Sequence, residues 1–123
     1  MNKKKQEILV ELLKHCSDLS KELLMEVDVF NPFAFFYESE RHSLIFSEDE
    51  NSYDGLKEYF EKNNIGMYVM VKCVEVKGRS AIELITVVDD IEYETMFISY
   101  QKIDNQVILS DLLSEDDFLE YDA

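Results

Sequence analysis

The only proline of this chain, Pro32, sits inside the run Phe30-Asn31-Pro32-Phe33-Ala34-Phe35-Phe36-Tyr37, which holds five of the fifteen Phe and Tyr residues. A proline ring fixes φ near −65° and removes an N–H, so it is excluded from helix interiors and central ladders. The residue before it, Asn31, is pushed out of the α region. A helix entering this stretch must end before Asn31, and the chain must leave Pro32 extended, with aromatic side chains large enough to seed a core.

The chain on either side fits that junction. From Lys5 to Met25 the residues Leu9, Leu12, Leu13, Cys16, Leu19, Leu23 and Leu24 recur at three- and four-residue intervals, the stripe of an amphipathic helix. Phe33 to Glu38 reads as a strand, Ser39 to Ser43 as a hairpin loop and Leu44 to Phe46 as the returning strand. Ser52 or Asp54 can cap a second helix reaching Asn63, with Leu56, Tyr59 and Phe60 inward. Three strands follow, Tyr68–Val76, Ala81–Val88 and Ile91–Tyr100, separated by Gly78 and by Asp89-Asp90. Val107 to Leu109 adds a short edge strand, and Asp111 to Leu119 reads as either helix or coil. Short turns between successive strands demand antiparallel pairing. The expected fold is therefore a single α+β domain over residues 1–123. It has an antiparallel sheet of about five strands, with the N-terminal helix and a second helix packed on one face. Residues 115–123, with five acids in nine positions, are expected to form a mobile acidic tail whose truncation after Ser114 leaves the thermal midpoint nearly unchanged.

Charge narrows the range of partners. The chain carries 27 acidic and 12 basic residues, a formal net charge of −15. Residues 1–24 hold five lysines against four acids, so the deficit lies wholly beyond them. Such a field repels nucleic-acid backbones and anionic membrane surfaces and attracts basic proteins. The acidic groups that stand out are Asp89, Asp90, Glu92 and Glu94 around one hairpin, and Glu115, Asp116 and Asp117 in the tail. These seven are the candidate partner-binding residues. A third acidic run, Glu48-Asp49-Glu50, reads as a solvated connection, and none of the runs matches a Ca²⁺-binding loop. Glu7 and Glu11 interrupt the apolar run after the N-terminal lysines, so no signal peptide is read and a cytoplasmic location is expected.

Catalytic signatures are sparse. There is no G-x-S-x-G elbow and no glycine-rich phosphate loop. Cys16 and Cys73 form no C-x-x-C pair, and with His15 and His42 they lack the close spacing of a zinc site. Both cysteines read as small buried hydrophobes. His15 reads as a boundary residue of the first helix and His42 as a solvated loop residue, with a general-base role as its alternative. Glu75-Val76-Lys77 places an acid and a lysine two apart on a strand, as in some metal-dependent nucleases, but the acidic surface does not suit their substrate. No catalytic residue, cofactor or metal is therefore expected.

The motifs Phe30-Asn31-Pro32-Phe33-Ala34, Ala81-Ile82-Glu83-Leu84 and Ile98-Ser99-Tyr100 resemble those of a family of small uncharacterised bacterial α+β proteins. In that family F-x-P-F-A follows a leucine-rich first helix, and a later strand ends near a Pro-Tyr dipeptide. Here Ser99 replaces that proline, and Glu38 to Ser43 replaces the family's Asp-Gly turn. The resemblance spans roughly residues 8–103 and implies a bacterial α+β domain without supplying an activity. The chain is also similar, at the level of shape and charge, to bacterial toxin-immunity proteins. The expected function is a non-enzymatic, acidic protein-binding module, an immunity or inhibitor protein that masks a basic partner surface. The alternative is a small-ligand-binding protein or enzyme whose aromatic residues from Phe33 to Tyr37 form a pocket near His42.

Overall fold

A computed structural model describes residues 2–50 and 52–120. The order of elements is α1 (Lys3–Glu26), β1 (Phe33–Glu38), β2 (Arg41–Phe46), α2 (Asp54–Lys62), β3 (Met67–Val76), β4 (Arg79–Val88), β5 (Ile91–Ile103), β6 (Gln106–Leu109), β7 (Leu113–Ser114) and α3 (Glu115–Glu120). The strands make one antiparallel sheet in the order β2-β1-β3-β4-β5-β6, and β7 also pairs with β5. The α+β class and antiparallel sheet expected from the sequence are present.

Two expectations are corrected. The sheet has seven strands rather than about five, because β5 runs for 13 residues and its outer edge accepts both β6 and β7. The helices also do not share a face. Consecutive β1 residues point to opposite sides, and both sides are apolar. Phe33 belongs to the cluster under α1, with Leu12, Cys16, Leu24, Val69, Val71, Ile82 and Leu84. Ala34 and Phe36 belong to the cluster under α2, with Leu56, Phe60 and Met70. Continuous apolar strands need cover on both faces, as fully buried strands do. The result is three layers.

The helix ends follow from local chemistry. Asn2 caps α1 by accepting the Lys5 N–H through its side chain at 2.9 Å. After Glu26 the chain turns extended and enters Pro32, which is buried, and Phe33, which is fully buried. At α2 the N-cap is Tyr53, which makes no side-chain cap bond, rather than Ser52 or Asp54; Ser52 Oγ accepts the Asp54 N–H at 3.0 Å in the turn that leads in. The loop expected over Ser39–Ser43 shrinks to a two-residue turn at Ser39-Glu40, both with positive φ. Arg41 and His42 are thereby drawn into β2. The stretch expected as a mobile tail is helical from Glu115 to Glu120, with Phe118 fully buried. Residues 121–123 lie outside the described residues. Ser110 Oγ accepts the Ser99 N–H at 2.9 Å and lies 2.9 Å from Ser99 Oγ, which ties the chain after β6 to β5.

Candidate functional site

The candidate acidic residues are set by the β4–β5 hairpin and by what pairs beside it. Asp89 and Asp90 form its turn with φ of 53° and 64°. The Asp90 N–H donates to the Gly66 carbonyl at 3.2 Å, which fixes the turn against the approach to β3. Asp89 is engaged from within the chain, since Lys5 Nζ reaches its two oxygens at 2.8 and 2.7 Å. Both partners are well exposed, so this pair contributes about 0–1 kcal/mol.

The next two acids separate. The β4–β5 register shifts between Thr86 and Val87, so Glu94 lies opposite Thr86 and Glu92 opposite Val87. Thr86 Oγ1 fills the irregularity by donating to the Glu94 carbonyl (2.9 Å) and accepting the Glu94 N–H (3.1 Å). Glu92 therefore shares the α2 face with Thr95, whose hydroxyl donates to it at 3.4 Å, whereas Glu94 turns toward the α1 face. Asp90 and Glu92 also lie close enough to Tyr68 to add to the rise of its phenol pKa, a shift led by partial burial.

The tail acids lie elsewhere. Ser114 pairs with Met96, which sets the start of α3 beside the middle of β5. Glu115, Asp116 and Asp117 form the exposed first turn of α3, where the helix dipole favours negative charge, and Ser114 Oγ accepts the Asp117 N–H at 3.2 Å. Phe118 anchors this turn. Its ring stacks on Phe97 at 4.8 Å, and the Arg79 guanidinium lies 4.3 Å from the ring centre. The hairpin acids and the tail acids thus form two separate groups, one at the β4–β5 turn and one on a helix that runs toward the β3–β4 turn, where Arg79 donates to the Phe118 carbonyl at 2.7 Å. Among the described residues the ion pairs are Lys5–Asp89, Lys102–Asp28 and His42–Glu11, and the other six candidate acids take part in none of these.

A second constellation escaped sequence reasoning. His15 Nε2 on α1 and His42 Nδ1 on β2 are 3.2 Å apart, and Glu11 Oε2 stands 3.5 Å from His42 Nε2. The His15 ring stacks on Phe35 at 5.3 Å, while His42 meets Tyr37 edge-on at 5.6 Å. The histidines are 27 residues apart and carry no spacing signal. The usable clue was strand pairing, because a two-residue turn at Ser39-Glu40 puts His42 opposite Tyr37, on the face that α1 covers.

Other features expected to matter are arranged otherwise. Burial pushes the Cys16 thiol far up and raises Cys73 as well, so neither is held as a reactive thiolate. Lys77 lies in the β3–β4 turn with φ of 52° and donates to the Leu119 carbonyl at 3.3 Å, so it does not stand beside Glu75 on a strand face. Burial, reinforced by Glu83, strongly raises the Tyr53 phenol, whose hydroxyl donates to Glu83 Oε1 at 3.1 Å. An open cleft of about 510 Å³ forms where β5 leaves β4 for β6, lined by Arg79, Ser80, Ser99, Tyr100 and Ser110 rather than by His42. Its serines already bond one another, with Ser99 Oγ and Ser110 Oγ 2.9 Å apart. Among the described residues no group of three or more His, Cys, Asp or Glu is placed to hold a metal ion, and no helix is long and apolar enough to cross a membrane. No protein-family model matches this chain, and neither a curated protein nor a solved structure gives a significant match to it.

Proposed function

We propose that this protein is a non-enzymatic binding module whose acidic β4–β5 hairpin docks on a basic protein surface, as an inhibitor or immunity protein does. One observation carries the reading: exposed Asp89, Asp90 and Glu92 crowd one rigid turn, and Glu115, Asp116 and Asp117 form a second exposed acidic group at the start of α3. The groups are held by a tight turn, a bulge and a helix start rather than by loose loops. Fixed carboxylates lose little conformational entropy on binding. They also act together over the ~8–10 Å screening length at ordinary salt. Exposed Ile91 and Tyr93 lie between them and supply apolar contact area inside the charged rim.

The test is association kinetics with the basic protein that co-purifies with the chain. Converting Asp90, Glu92 and Glu94 to Asn or Gln, or Glu115, Asp116 and Asp117 likewise, should slow association about tenfold or more at low salt and change dissociation less. Association rates indifferent to both sets and to salt would refute the proposal and leave the acids a role in solubility alone.

A further inference from the structure

We infer that His15 and His42 form a binding site for a divalent transition ion of the zinc type, with Glu11 as the outer carboxylate that orients His42. The argument begins with distance. Two imidazole nitrogens bound to one tetrahedral zinc at about 2.05 Å each stand about 3.3 Å apart. His15 Nε2 and His42 Nδ1 are already 3.2 Å apart. The fold therefore presents the two donors with the separation that the ion requires.

Orientation supports the same assignment. Glu11 Oε2 lies 3.5 Å from Nε2 of His42, the nitrogen that does not face His15. A carboxylate there favours the tautomer with the proton on Nε2, which leaves the Nδ1 lone pair directed at His15. His15 is held in turn by stacking on Phe35, and His42 by its contact with Tyr37, so neither ring must be ordered when the ion arrives. Without an ion, His15 Nε2–H can donate to His42 Nδ1; when the ion binds, His15 takes the tautomer with its proton on Nδ1, exchanged through solvent, so both neutral rings offer a lone pair with no net loss of a proton. His15 is exposed and the His42 side chain is 22% exposed, so water completes the coordination. Neutral imidazole selects zinc, copper and nickel over magnesium and calcium, which prefer oxygen. The net charge of −15 raises the local concentration of any cation but does not provide that selectivity.

The ligands come from α1 and β2, so the ion would staple the first helix to the edge of the sheet and bind only the folded chain. Titration of the full chain with ZnCl₂ at pH 7.5, by calorimetry and thermal melting, should show one saturable equivalent and a raised midpoint, with MgCl₂ giving neither. His15→Gln and His42→Gln should each weaken zinc at least tenfold, and Glu11→Gln should weaken it about tenfold or more. Substoichiometric Ni²⁺ added to the unaltered chain should selectively broaden the ring proton resonances of its two histidines, a readout that does not depend on any variant folding. Zinc affinity that survives both histidine substitutions would place the ion on carboxylates and overturn the site. So would the lack of a saturable equivalent, or histidine resonances that ignore Ni²⁺.

Discussion

Removing the Phe118 ring tests whether the last helix belongs to the fold. The side chain is fully buried between Phe97, Ala81 and the Arg79 guanidinium, and it is the only buried residue of α3. A phenylalanine buries roughly 150–250 Å². At about 25 cal/mol per Å² that burial corresponds to about 4–6 kcal/mol as an upper limit. In a closed core, Phe→Ala costs about 3–5 kcal/mol, because a cavity remains. Here a second route exists, since α3 is short and can lift away, and its six residues then recover about 1–2 kcal/mol each of backbone entropy. The loss cannot exceed the docking free energy of that segment, so Phe118→Ala should cost about 2–4 kcal/mol. The midpoint should fall by about 10 °C. Phe118→Leu, which keeps most of the contact, should cost less than half as much. Urea unfolding gives the free energies, and a smaller m-value for the alanine variant would mark α3 as already released in its native state. A loss below about 0.5 kcal/mol for Phe118→Ala would refute the docking argument and restore the dispensable tail.

Two further outcomes follow from buried ionisable groups. Tyr53 is kept neutral in the fold by burial and by Glu83, so its folded pKa lies well above the ordinary value of 10. Its contribution is complete below pH 10 and fades as pH rises further, because the unfolded chain then releases a proton that the folded chain keeps. Stability measured from pH 9 to 12 should fall by up to about 1.4 kcal/mol per pH unit from this residue, and Tyr53→Phe should flatten that slope; an unchanged slope would place the titration elsewhere. Cys16 is fully buried with its pKa raised, so an aromatic disulfide reagent should modify Cys73 first and reach Cys16 only at the rate of unfolding. Equal rates at the two thiols would contradict the packing of α1.

Much of this architecture was legible because local signals and tertiary demands agreed. The α1 stripe, the break at Pro32 and the β-branched runs of β3 and β4 each carry a local preference that agrees with burial in the fold. The single-face reading failed at β1, where Phe33-Ala34-Phe35-Phe36 is apolar without alternation and calls for cover on both sides. The tail was less legible for a related reason. Three successive acids suggest a solvated end, and the burial of one residue, Phe118, in a six-residue helix carries no periodic signal. Of the candidate site, the hairpin and tail acids could be named from sequence, but the docking of α3 beside β5 could not, because β7 is only two residues long. The histidine pair is hidden in the sequence because the polar run Ser39 to Ser43 reads as a loop, which leaves His42 out of the ladder that sets it opposite Tyr37.

The two-residue turns have a consequence for how the chain assembles. Ser39-Glu40, Lys77-Gly78, Asp89-Asp90 and Asp104-Asn105 all have positive φ at both positions, the geometry that continues the strand twist. Each joins neighbours in sequence, so β1–β2 and the succession β3 to β6 can zip together with almost no loop to close. One sheet contact is different. β1 must find β3, pairing Phe33 with Val71 across the whole of β2 and α2. That closure, together with the arrival of α1 over it, is the only step in building the sheet's centre that orders a long stretch of chain before it gains contacts. The aromatic run around Pro32 lies at that step, so residues such as Phe33 and Phe36 set the speed of folding as well as its endpoint.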